Sequence, residues 1–169
     1  SFKLKDSVSN KLLSSDELFG KRCTVVMFIC NHCPFVIHVN SEIVNIAKEF
    51  QSENIKFIAI SSNDVKNYPQ DSPENMKKVA KSENYCFPYL YDEDQSVAKK
   101  YDAACTPDFY IFDEVKELVY RGQLDDSRPG NGIPVTGSDV RKALESIMTG
   151  EAVNPNQKPS IGCNIKWIN

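Results

Sequence analysis

Residues 24–60 constrain the fold most, because an apolar run, a two-cysteine turn, a helical stripe and a second apolar run follow one another directly. Thr24-Val25-Val26-Met27-Phe28-Ile29 is apolar almost throughout, which predicts a central strand over 24–30, buried on both faces. Val36, Val39, Ile43, Ile46, Ala47 and Phe50 then recur at steps of three and four, which predicts a helix over 35–51 with one buried stripe. Ile55-Lys56-Phe57-Ile58-Ala59-Ile60 is the next strand. The unit is β-α-β, and a parallel crossover of this kind is right-handed.

The remaining chain extends the same rhythm. Residues 2–6 and 11–13 read as two short strands around a polar turn, followed by a capped turn at Ser14-Ser15-Asp16-Glu17. Residues 61–75 are a polar loop ending in Ser72-Pro73, a cap with proline at the first helical position, and a helix over 73–84 follows. Pro88-Tyr89-Leu90-Tyr91 reads as a short strand with Tyr89 and Tyr91 exposed, and residues 92–102 as a helix with Val97, Ala98 and Tyr101 inward. Residues 109–112 and 117–120 form an antiparallel pair, 122–137 a long loop, and Ser138 caps a helix through Met148. Residues 150–169 lack periodicity and read as an irregular C-terminal extension of a single domain spanning 1–169. Alternating strands and helices predict an α/β fold, a mixed central sheet flanked by helices, with an N-terminal β-hairpin.

The turn between the first strand and helix is Cys30-Asn31-His32-Cys33. Two thiols at this spacing can close a disulfide with little backbone movement. Unpaired amides and the dipole at a helix N-terminus favour the thiolate, the form that attacks a disulfide or a peroxide. The placement points to electron transfer through sulfur. A net charge of −3 without a basic face argues against nucleic acid, and the apolar runs are too short to span a bilayer. No segment reads as a signal peptide, and six cysteines in a chain of 169 residues are sparse for a secreted disulfide scaffold, so a cytoplasmic setting is expected. No cofactor is expected.

The two-cysteine turn, together with Cys105-Thr106-Pro107-Asp108-Phe109, Tyr120-Arg121-Gly122-Gln123-Leu124-Asp125-Asp126-Ser127-Arg128-Pro129-Gly130-Asn131 and Gly162-Cys163-Asn164-Ile165-Lys166-Trp167, resembles a thioredoxin-like protein of the peroxiredoxin-like AhpC/TSA branch. The resemblance implies a thioredoxin-like fold with a cis-proline at Pro107 facing the cysteines. It also implies a role for Thr106 and Pro107 in presenting backbone to a substrate. It leaves two nucleophiles open. In the dithiol reading, preferred here, Cys30 attacks and Cys33 resolves. In the peroxidase reading Cys33 is peroxidatic and Cys30 resolves, although the proline and hydroxyl expected seven and three residues earlier are here Val26 and Cys30. Arg121 and Arg128 are the cations that reading would use.

Other residues carry weaker expectations. His32 tunes a neighbouring thiolate, and its removal is expected to raise the Cys30 pKa. Cys163 and Cys105 are auxiliary thiols, whereas Cys23 and Cys86 pack in the core. Asp64, beside Asn63, is the nearest buried proton acceptor, and the 125–131 loop reads as a solvated turn holding an Asp–Arg pair. A zinc half-site completed from Cys105, Cys163, Cys86 or His38 is the non-enzymatic alternative, alongside a redox sensor. The expected partners are protein or small-molecule disulfides and thiols, a thiol electron donor, and peroxide in the second reading.

Overall fold

The computed structural model describes residues 1–169. Its centre is a seven-stranded mixed sheet. Strands β1 (Lys3–Asp6) and β2 (Leu12–Ser14) form the N-terminal hairpin, followed by the single-turn helix α1 (Ser15–Leu18). Then come β3 (Cys23–Phe28), helix α2 (Pro34–Phe50), β4 (Ile55–Ser61), a 3₁₀ turn at Pro69–Asp71, helix α3 (Pro73–Ser82) and β5 (Tyr89–Tyr91). Helix α4 (Ser96–Lys100), β6 (Cys105–Thr106), β7 (Asp108–Phe112), β8 (Leu118–Gly122), α5 (Ser138–Thr149) and β9 (Cys163–Asn164) complete the chain. The sheet order is β2-β1-β5-β4-β3-β7-β8, with β6 and β9 forming a separate two-stranded pair. Strands β3, β4 and β5 are parallel, whereas β7 runs antiparallel to β3.

The alternation of side chains in β3 divides the core. Val25 and Met27 face one cluster, with Val36, Val39, Ile43, Met76 and Leu144 from α2, α3 and α5. Val26 and Phe28 face the other, with Val97, Ala98 and Ile165. A strand buried on both faces must be apolar throughout, and this is why 24–29 carries no polar alternation. Both faces are thus covered, and the carboxyl end of β3 delivers the two-cysteine turn to the edge of the larger cluster.

Four sequence expectations need correction. The helix expected over 92–102 shortens to Ser96–Lys100, because the buried Asp92 carboxylate accepts from the Val97 and Ala98 amides (3.2 and 2.9 Å) and Gln95 takes φ 64°. Ser138 does not cap α5; Gly137 holds that position at φ 68°. The loop before α5 is organised instead by the buried Asp125 carboxylate, which accepts from the Ser127, Thr136 and Gly137 amides at 2.9, 2.9 and 2.7 Å. Its expected partner Arg128 donates to the Asp125 carbonyl, not to the carboxylate. Tyr89 is fully buried rather than exposed.

Candidate active site

Cys33 is the N-cap residue of α2, and Pro34 occupies the first helical position, where a missing amide costs nothing. Its carbonyl accepts from the Val36 and Ile37 amides at 3.0 Å each. Both cysteines are enclosed: Cys30 is 2% exposed and Cys33 0%. The Thr106–Pro107 peptide is cis, as the resemblance implies. It lies against the sulfurs, with Cys30 Sγ 3.6 Å from Thr106 Oγ1 and Cys33 Sγ 3.5 Å from the Thr106 carbonyl oxygen.

The two thiols share a hydrogen bond, and this sets their acidities in opposite directions. A bond from Cys30 holds the Cys33 thiol down at about 4; Cys163, Thr106 and the Val36 amide assist, against the cost of burial. Cys30 is pushed up by that same bond, then by burial and by the Asp71 carboxylate. These opposite directions favour the charge on Cys33, the sulfur at the helix N-terminus, over Cys30.

Asp71 is the functional residue that sequence reasoning missed. It is 0% exposed and lies on the 3₁₀ turn, 40 positions after Asn31, whose amide it accepts at 2.9 Å. Its other oxygen accepts from Asn63 Nδ2 at 2.9 Å and lies 2.6 Å from His32 Nδ1. His32, expected to face a thiolate directly, faces this carboxylate instead, and its ring stacks on Tyr68. The fully buried Tyr89 donates to Asn31 Oδ1 at 2.9 Å, pinning the turn from below. Asp64, the acid expected near the dithiol, instead closes a local turn with Lys66 and Asn67. The Ser72-Pro73 cap directly after it signals that position 71 borders an ordered turn, but nothing local says where its carboxylate points.

The ligand atoms of Cys30, His32 and Asp71 all lie within 4.8 Å of one another. They are three of the four donors a structural zinc needs, and the residues expected to complete one do not join them. His38 Nε2 is 2.7 Å from Ser127 Oγ, and Cys86 packs partly buried against the core, as Cys23 does fully. Arg121 is held by Asp102 and Asp108 at 3.6 Å each, over the Tyr110 ring. Arg128 is spent on Gln123 and on the Asp125 and Ser127 carbonyls. Neither guanidinium bonds to a site sulfur.

The two auxiliary thiols lie on the β6–β9 pair, whose register places Thr106 opposite Cys163 and Cys105 opposite Asn164. Cys163 packs on the cluster that contains Cys30 and Cys33, and Cys105 Sγ approaches the Ser160 carbonyl at 3.8 Å. The backbone edge at Thr106, expected to receive a substrate, is thus paired with the chain's own C-terminal extension. No helix is long and apolar enough to cross a membrane.

Among solved structures, the chain is similar to an uncharacterized conserved protein from Geobacillus kaustophilus at 57% identity, covering 99% of this chain and 88% of that one with a TM-score of 0.97. A hypothetical protein from Sinorhizobium meliloti 1021 is 43% identical, covering 99% and 91% with a TM-score of 0.95. A secreted disulfide oxidoreductase of Mycobacterium tuberculosis is 14% identical over 86% of this chain and 95% of that one, with a TM-score of 0.65, and shares the thioredoxin-like fold. No curated protein matches the chain. The family model described as AhpC/TSA matches residues 1–121, most of the chain and both site cysteines, and the protein accordingly belongs to the AhpC/TSA family.

Proposed function

We propose that the protein is a thiol–disulfide oxidoreductase working through Cys30 and Cys33. The observation that carries this reading is the placement of both sulfurs at the N-terminus of α2 against Thr106, at 3.6 and 3.5 Å, beside the cis Pro107. Cys30 attacks a substrate disulfide after passing its proton to Cys33 or towards the Asp71–His32 pair. One substrate thiolate leaves and a mixed disulfide forms on Cys30. Cys33 then attacks the Cys30 sulfur, expels the second substrate thiolate and closes the Cys30–Cys33 disulfide. Two electrons reach the substrate, and a donor thiol returns them by the reverse steps. The substrates on this reading are protein or small-molecule disulfides, and the cysteine usage suits a cytoplasmic protein.

The test is the reduction potential of the pair in a graded glutathione or dithiothreitol series, with peptide mass spectrometry to assign the linkage. A reversible two-electron couple confined to Cys30 and Cys33 is expected. Failure of these two residues to pair would refute the reading.

One observation favours a second reading: Cys33, the sulfur a peroxidase would use, is the one held as thiolate, at about 4. On that reading peroxide oxidises Cys33 to a sulfenate, Cys30 condenses with it, and water leaves. Consumption of peroxide by catalytic amounts of protein with a thiol donor separates the two.

A further inference from the structure

Residues 150–169 lie beyond the family match, which ends at residue 121. The end of this extension is fastened tightly. Ser160 Oγ donates to the Gly122 carbonyl at 2.7 Å, and the Ile165 amide to the Ala104 carbonyl at 2.9 Å. The Lys166 amide donates to Asn63 Oδ1 at 2.9 Å, and its carbonyl accepts from the Asp64 amide at 2.8 Å and Gln95 Nε2 at 2.9 Å. These contacts bracket Cys163 on both sides. Between them, a Cβ added to Gly162 would stand 1.8 Å from the Thr106 carbonyl oxygen and 3.2 Å from Pro107 N. Only glycine lets the extension come this close to the residue that both site sulfurs touch.

The fastening delivers a third sulfur. Cys163 is set opposite Thr106 in the β6–β9 register and packs on the cluster that holds Cys30 and Cys33; burial first, and then Cys33, push its thiol up to about 11. Cys33 is 0% exposed, whereas Cys163 is partly exposed. Cys163 is thus in contact with the enclosed pair and also open to solvent.

We propose that Cys163 is the third redox thiol of this site, exchanging with Cys33 and carrying the disulfide to the surface. The proposal rests on the dithiol reading. In the oxidised protein the Cys163 thiolate attacks Cys33 Sγ; the Cys33–Cys163 bond forms, the Cys30–Cys33 bond breaks, and the electron pair leaves on Cys30, which takes up the proton Cys163 lost. No external oxidant or reductant is consumed. An external donor thiolate then attacks the partly exposed Cys163 sulfur and releases Cys33 as thiolate, the better leaving group because its thiol is the more acidic.

The experiment uses the full chain in the Cys30→Ser variant, exposed to oxidised glutathione, quenched in acid and mapped by peptide mass spectrometry. The expected product is a Cys33–Cys163 disulfide in the majority of molecules. The wild type quenched in the same way is expected to hold both the Cys30–Cys33 and Cys33–Cys163 species, the second being lost in Cys163→Ser. Cys33 that remains glutathionylated in Cys30→Ser, with no Cys33–Cys163 peptide in the wild type, overturns the proposal. The Cys163→Ser variant reports separately on the underlying reading. A Cys30–Cys33 disulfide there leaves the oxidoreductase reading standing even if Cys163 has no part in it.

Discussion

Cys33 owes its acidity first to a hydrogen bond from Cys30, and only afterwards to Cys163, Thr106 and the α2 amide. This order is testable. Reduced protein is expected to show one thiolate by ultraviolet absorbance at neutral pH, lost in acid near about 4, where Cys33 takes up its proton. Cys30→Ser is expected to move that transition upward, since a serine hydroxyl is a poorer match to the sulfur's position. Cys33→Ser is expected to abolish it. The Asp71 carboxylate pushes the Cys30 thiol up, and His32 Nδ1 sits 2.6 Å from that carboxylate. His32→Ala leaves Asp71 without that partner beside Cys30. The variant is therefore expected to disfavour the Cys30 thiolate further and to slow the reaction of Cys30 with a small disulfide at neutral pH. A rate unchanged from wild type would show that His32 has no influence on Cys30.

Among the elements, helices α2 and α3 were readable and the last strand was not. The stripe Val36, Val39, Ile43, Ile46, Ala47, Phe50 is buried on α2 as its spacing predicts, because periodicity records which face meets the sheet. Ser72 with Pro73 begins α3 as read, its hydroxyl accepting from the Asn75 amide. Strand β9 has only two residues, and no period can be seen in two residues. It exists because β6 offers it a partner, a fact of tertiary placement. The extension is held by packing as well as pairing: Ile165 is 1% exposed within the smaller core cluster. Ile165→Ala is expected to cost about 2–5 kcal/mol, read from denaturant midpoints. Gly162→Ala forces a methyl into the Thr106 carbonyl and is expected to cost about 1–3 kcal/mol. Limited proteolysis of Gly162→Ala is expected to cut the extension earlier than in wild type while leaving 1–150 intact. Protection equal to wild type would mean that the close approach at Gly162 is dispensable.

At the scale of the whole molecule, the dithiol links stability to pH and to oxidation state. Cys33 binds its proton far more weakly in the folded chain, at about 4 against an ordinary 9.0. Between those values the unfolded chain holds the extra proton, so the stability of the reduced protein rises with pH across this window and is lost as pH falls through about 4. Cys30 is shifted upward, so above 9.0 the folded chain holds the extra proton and stability falls again. The oxidised protein has neither thiol to titrate. The difference in unfolding free energy between reduced and oxidised forms is therefore expected to slope upward from about pH 4 to about pH 9 and then turn over. A flat difference would show that Cys33 is not a thiolate in the native state. The sequence alone determined the alternation of elements, the two-faced central strand and the Cys30–Cys33 turn at the head of a helix, because each depends on neighbours within one or two turns of chain. Tertiary structure alone decided that Asp71 rather than Asp64 sits beside Cys30, that Asp125 organises a loop from within, and that Cys163 reaches Cys33. The Asp71 and Cys163 contacts join residues 40 or more positions apart, and only the packing of the sheet brings them together; those of Asp125 stay within 12 positions but lie on a loop with no period to reveal them.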